Sequence, residues 1–142
     1  MPDIRFASIF LPFWGKHASP EVVQSACKIA KLDRSRLFAL FVLEVPQALP
    51  LDVHLPEEVE KGETLLREVT GIAKRSRVKL ETKLVRSRFA GRTIVEETKA
   101  NKCDLILFGS ARSEVAGMLR GKVLPFILLK SPCRVWIWRH SS

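Results

Sequence analysis

Residues 36–45 read Arg-Leu-Phe-Ala-Leu-Phe-Val-Leu-Glu-Val, and both alternating sets of side chains in this run are apolar. Leu37, Ala39, Phe41 and Leu43 form one set; Phe38, Leu40 and Val42 form the other. Successive side chains of a strand point to opposite faces. A strand that is hydrophobic on both must be covered on both, which places it inside a parallel sheet with helices packed above and below. Few other architectures can house such a segment.

The remaining segments supply the covering helices and the neighbouring strands. Residues 4–13 are β-rich and nearly uncharged, a first strand that ends at Pro12-Phe13-Trp14-Gly15-Lys16. Ser19-Pro20-Glu21 offers an N-cap, an N1 proline and an early acid, and Val22, Val23, Ala26, Ile29 and Ala30 then recur at helical spacing to about Leu32. After the second strand, residues 47–55 form a proline-containing loop. Pro56-Glu57-Glu58 opens a long helix to about Arg75 whose buried stripe is Val59, Leu65, Leu66, Val69 and Ile72. Residues 78–85 alternate polar and apolar, a strand with one wetter face near a sheet edge. A short helix is expected over 93–101 and a fourth strand over 104–108, running into Gly109-Ser110. A basic, glycine-containing loop leads to a helix over about 121–130, with Pro125 tolerable only in its first turn. Ser131-Pro132 breaks the chain before a last strand over 134–138. Alternating strands and helices give right-handed crossovers and one three-layer α/β domain spanning residues 1–142.

Composition narrows the function. At 142 residues with 46% hydrophobic and 27% charged residues, the chain has ordinary globular make-up. Its longest uncharged apolar stretches are far too short to span a bilayer. Phe6 to Gly15 behind Arg5 has the look of a signal-peptide apolar region, but it contains Pro12 and lacks a small-residue cleavage site, so it reads as a strand and the cytoplasm is the expected compartment. Cys27, Cys103 and Cys133 are odd in number and far apart, which argues against a disulfide framework or a zinc site. His17, His54 and His140 have no metal-ligand spacing. The net charge of +9 is unevenly spread: residues 1–71 carry −2 and residues 72–142 carry +11. Such a basic half attracts phosphates or anionic surfaces. No cationic run is interleaved with aromatics as a nucleic-acid platform requires, so nucleic acid is not an expected partner.

In an open parallel sheet, ligands bind beyond the carboxyl ends of the strands where strand order reverses. Two strand ends are unusual. The first is Pro12-Phe13-Trp14-Gly15. The fourth is Phe108-Gly109-Ser110-Ala111-Arg112, leading to Gly121-Lys122 at a helix start. Glycines let a backbone approach a ligand closely, a helix N-terminus presents N–H groups to an anion, and Arg112, Arg120 and Lys122 add positive charge. There is no G-x-G-x-x-G after the first strand. Residues 116–123 read A-x-x-x-x-G-K-V, lacking the first glycine and the magnesium-binding hydroxyl of a P-loop.

The ordered set Ile9-Phe10-Leu11-Pro12, Phe41-Val42, Asp104-Leu105-Ile106-Leu107-Phe108-Gly109-Ser110 and Pro132-Cys133-Arg134-Val135 resembles the universal stress protein family over essentially the whole chain. The resemblance implies a five-stranded parallel sheet in the order 3-2-1-4-5 and a site for ATP or AMP, with no obligatory cofactor and no enzymatic activity. Pro12 and Val42 match adenosine-side positions; Gly109, Ser110, Gly121 and Val123 match the phosphate loop. Several contacts are altered. Trp14 stands where the family has an aspartate, Arg112 where it has a second loop glycine, Lys122 at the hydroxyl of a Gly-Ser step, and Leu124 at a later serine. Lost hydrogen-bond partners of this kind cost about 1–3 kcal/mol each. Arg112 and Lys122 either grip phosphates or occupy a dead pocket, the second being favoured; Trp14 either stacks on a base or packs, packing being favoured. The resemblance also implies a homodimer through the last strand. Leu43-Glu44-Val45-Pro46 followed by Leu49-Pro50-Leu51 is similar to the variant attached to amino-acid permeases and cation antiporters, which implies a transporter partner. The leading expectation is therefore a non-enzymatic, homodimeric regulatory module with a degraded ATP loop. A sensor of ATP, AMP or another adenine nucleotide is the alternative.

Overall fold

A computed structural model describes residues 4–15 and 19–140; Lys16 and His17 lie outside the described residues. Five parallel strands, β1 (Ser8–Trp14), β2 (Arg36–Glu44), β3 (Leu80–Ser87), β4 (Leu105–Ala111) and β5 (Arg134–His140), form one sheet in the order β3-β2-β1-β4-β5. Helices α1 (Val22–Asp33), α2 (Pro56–Arg75), α3 (Ala90–Ala100), α4 (Val115–Arg120) and α5 (Val123–Lys130) complete the domain.

The two-sided character of β2 does what its sequence demands. Leu37, Ala39, Phe41 and Leu43 join Ile9, Leu11, Phe13, Leu105 and Leu107 in one core under α1 and α2. Phe38, Leu40 and Val42 join Phe10, Trp14, Ile106 and Phe108 in a second core under α3, α4 and α5. All seven residues of β1 are buried, as a strand between two covered faces must be.

Several boundaries differ from the sequence reading, each for a local reason. β1 begins at Ser8 rather than near Ile4, because the preceding backbone is held by carboxylates. Phe6 N–H donates to Asp33 at 3.0 Å, and the N–H groups of Ala7 and Ser8 donate to Asp104 at 2.9 and 3.1 Å. Ser19 does not cap α1; its hydroxyl lies 3.0 Å from His140 Nε2 at the end of β5. Helix α3 starts three residues early, at Ala90, where Glu44 accepts the Ala90 N–H at 2.9 Å. The segment read as a basic loop contains a 3-10 turn (Arg112–Glu114) and α4, and Pro125 falls in the first turn of α5, the one place it can be accommodated.

Candidate functional site

The sheet opens at its centre. β1 pairs with β2 along seven residues, Ser8↔Arg36 to Trp14↔Val42, but with β4 only at Ile9↔Leu105 and Phe10↔Ile106. Pro12 lies beyond that point and brings no N–H to a ladder. The two strands therefore part above Phe10, at the place where strand order reverses, and their ends remain neighbours. Trp14 meets Phe108 edge-on, with ring centroids 5.7 Å apart.

A crevice of about 680 Å³ opens beside the end of β1, and no residue of β4 is among the described residues that line it. Trp14 and Gly15 supply its β1 side, Glu44 comes from the end of β2, and Arg88 and Phe89 from the β3–α3 junction. Gly117, Met118, Gly121, Lys122, Val123 and Leu124 close it from α4 and the start of α5. Its volume lies within the roughly 300–1,000 Å³ usual for small-molecule sites, and its apolar base with a few polar groups is their usual make-up. Among the described residues the charged groups are two cations, Arg88 and Lys122, and one carboxylate, Glu44, whose Oε2 is engaged by the Ala90 N–H. No side chain caps the first turn of α5, and Pro125 has no N–H, so the amides of Val123 and Leu124 are the ones that turn presents.

The glycines separate into two kinds. A Cβ on Gly109 would lie 2.8 Å from the Val22 Cβ, so this glycine is dictated by the approach of α1 to β4. A Cβ on Gly121 would meet nothing nearer than the Gly117 carbonyl oxygen at 3.4 Å, and Gly121 has an ordinary φ of −73°. Neither crowding nor backbone strain in the chain itself demands a glycine at 121.

Of the sequence-predicted residues, Trp14, Gly121, Lys122 and Val123 are brought together around the crevice. Trp14 is nearly fully buried and belongs to the second core, so its indole is packed as well as lining. Pro12 is buried within β1. Val42 is buried and lines an adjoining groove of about 590 Å³ beneath α2, which shares Gly15 and Glu44 with the crevice. Ser110 is buried, and its hydroxyl donates to the Ala111 carbonyl at 3.1 Å. Arg112 sits exposed in the 3-10 turn and does not line the crevice.

Sequence reasoning missed Glu44, Arg88, Phe89 and Met118. Glu44 and Arg88 had a usable signal: each is a charged residue at the carboxyl end of a parallel strand, where ligands bind. Arg88 is also tied to the loop over residues 46–55, with Nη1 donating to the carbonyls of Pro46 at 2.5 Å and Leu49 at 2.6 Å. Arg86, two residues earlier, donates from Nη1 to the carbonyls of Leu51 at 3.2 Å and Val53 at 2.5 Å.

The three cysteines are remote from this chemistry. Burial pushes the Cys103 thiol up to about 12, helped by the nearby Cys133 and Asp104 and opposed by Arg36. Burial likewise raises Cys27 and Cys133. Among the described residues no group of three His, Cys, Asp or Glu side chains could hold a metal ion, and no helix is long and apolar enough to cross a membrane.

Known proteins share this fold. Residues 6–139 match the model of the universal stress protein family. Universal stress protein MJ0531 of Methanocaldococcus jannaschii is 26% identical over 139 residues, covering 93% of this chain and 81% of that one. The crystal structure of a universal stress protein in complex with cAMP superposes with a TM-score of 0.69 at 22% identity, covering 97% of this chain and all of that one. The universal stress protein from Archaeoglobus fulgidus in complex with dAMP gives 0.70 at 15% identity, covering 94% and 98%. With the family model matched over nearly its whole length and the sheet order its members share, the chain belongs to the universal stress protein family.

Proposed function

We propose that this protein is a non-enzymatic regulatory module whose central crevice takes an adenine nucleotide, held chiefly by its phosphates. The observation that carries the reading is Gly121. The fold has room for a side chain there, so the reason for glycine is sought in what approaches the start of α5. Around it lie the free first turn of α5, Lys122 and Arg88, a cationic setting for an anion. Relatives crystallised with cAMP and dAMP support an adenine nucleotide over other anions. Among the described residues, none that lines the crevice bears a hydroxyl, thiol or imidazole, which favours binding over turnover.

Isothermal titration with ATP, AMP and cAMP tests this. Gly121→Ala is expected to leave the melting temperature unchanged and weaken binding. Lys122→Ala is expected to weaken it about 10- to 100-fold, the loss of one charge-assisted contact. No heat with any nucleotide would sink the reading.

A second reading has its own observation. Trp14 is 4% exposed and fills the β1 side of the crevice, which favours the degraded-loop module that acts through protein contacts alone. Both readings share a proposed homodimer through β5, a sheet edge on which Trp136, Ile137 and Trp138 are 40%, 44% and 48% exposed. Light scattering should give a dimer that Trp138→Glu converts to monomer; a wild-type monomer at micromolar concentration would remove the dimer from both. A cytoplasmic setting and a transporter partner complete the proposal, the partner resting on the similarity of residues 43–51 to transporter-attached members.

A further inference from the structure

We infer that Arg88 is an anion-binding residue of the crevice that works jointly with the loop over residues 46–55, so that loop order and polyphosphate binding reinforce one another. The inference rests on the nucleotide reading for the identity of the ligand, but its geometry stands apart from it. Arg88 lines the crevice while its Nη1 donates to the carbonyls of Pro46 and Leu49. Those two carbonyls bracket a turn closed by the Leu49 N–H on the Pro46 carbonyl at 3.1 Å. The next turn, closed by the Val53 N–H on the Pro50 carbonyl at 3.0 Å, is held in the same way by Arg86. One arginine thus secures each turn, and only Arg88 also faces the crevice.

A guanidinium has five N–H donors in a rigid plane. Both loop bonds of Arg88 leave from Nη1, and among the described residues its Nε and Nη2 donate to nothing. That edge suits two oxygens of one phosphate. The loop carbonyls are acceptors that orient the plane without neutralising its charge. A ligand therefore need not pull Arg88 off the loop: it meets a side chain whose rotamers are already restricted, and in binding it fixes them further. Linkage makes the effect reciprocal, since whatever the ordered loop adds to anion affinity the anion must return to loop order.

The test uses the full chain with ATP and with inorganic tripolyphosphate, read by titration calorimetry and by hydrogen exchange at the Leu49 and Val53 amides. Tripolyphosphate should bind and slow exchange at both amides severalfold. Arg88→Ala should weaken tripolyphosphate about 10- to 100-fold and abolish the slowing. Arg88→Lys, which keeps the charge but has three donors on one atom rather than a planar fork able to serve two carbonyls and two phosphate oxygens, should recover part of the affinity and none of the slowing. Pro50→Gly loosens the loop without touching the crevice and should weaken binding with Arg88 in place. Unchanged exchange in the ligand-bound wild type, wild-type affinity in Arg88→Ala, full recovery in Arg88→Lys, or wild-type affinity in Pro50→Gly would each overturn the inference. If ATP binds normally to Arg88→Ala, the inference falls and the nucleotide reading stands. If tripolyphosphate couples to the loop but adenosine adds nothing to its affinity, the inference stands and the nucleotide reading falls. If neither anion binds the wild type, both fall.

Discussion

Gly109→Ala tests whether this glycine serves the fold or a ligand. The added methyl would sit 2.8 Å from the Val22 Cβ and 3.5 Å from both Val22 Cγ atoms. Non-bonded carbons are most comfortable about 3.5–4.0 Å apart, so α1 must retreat from β4 by about 1 Å or β4 must bend. Val22 is 0% exposed and opens α1, so the motion disturbs a packed layer. Overpacking of this sort costs about 1–3 kcal/mol. Alanine recovers about 0.4–1 kcal/mol by restricting the unfolded chain. The net expectation is a loss of about 1–2 kcal/mol, a fall of about 3–7 °C in melting temperature for a domain of this size. The offending atom is a Cβ, so Val22→Ala should not rescue the variant, and the double-mutant cycle should show little coupling. Urea unfolding of the four proteins decides. Stability of Gly109→Ala within about 0.5 kcal/mol of wild type, or full rescue by Val22→Ala, would refute the packing argument and return Gly109 to the ligand.

Asp104→Ala removes the acceptor for the Ala7 and Ser8 N–H groups and should cost about 1–3 kcal/mol by denaturant unfolding, with no change in nucleotide affinity. Cys103 predicts an alkaline effect: its thiol is held up at about 12 from 9.0, so the folded state keeps a proton that the unfolded state releases. Stability from this group is complete below about pH 9 and is lost as pH rises from there towards 12, at a slope of up to about 1.4 kcal/mol per pH unit. Cys103→Ala should flatten that slope in urea titrations at pH 8 to 11; an unchanged slope would contradict the assignment.

The fold was legible because its signals were redundant. A strand hydrophobic on both faces, helical stripes between strands and the alternation of the two left one architecture, and the sheet has it. What escaped were boundaries set by side chains distant in sequence. Asp104 fixes the entry to β1 across 96 residues of chain, and Glu44 fixes the start of α3 across 46. Local propensity carries no trace of such partners. Helix α4 escaped for another reason: six residues containing Gly117 give too little periodicity to stand out from a loop.

The candidate site was legible only where backbone dictates it. Strand ends at a reversal of strand order are visible as an order of elements; Trp14, Gly121 and Lys122 followed from that order, and Val123 from the family resemblance. Matching a pattern of glycines treated Gly109 and Gly121 alike, although one has a methyl-sized space blocked by Val22 and the other does not. The same limit applies to charge. Arg112 and Arg88 are indistinguishable as letters, yet a 3-10 turn carries Arg112 onto the surface while two loop carbonyls hold Arg88 at the crevice. Of these two arginines, the one at the crevice is the one tied to the backbone around it. For that reason the replacements in the family's loop do not by themselves decide whether anion binding is lost: hydrogen-bond donors missing from the loop can be supplied from the end of β3.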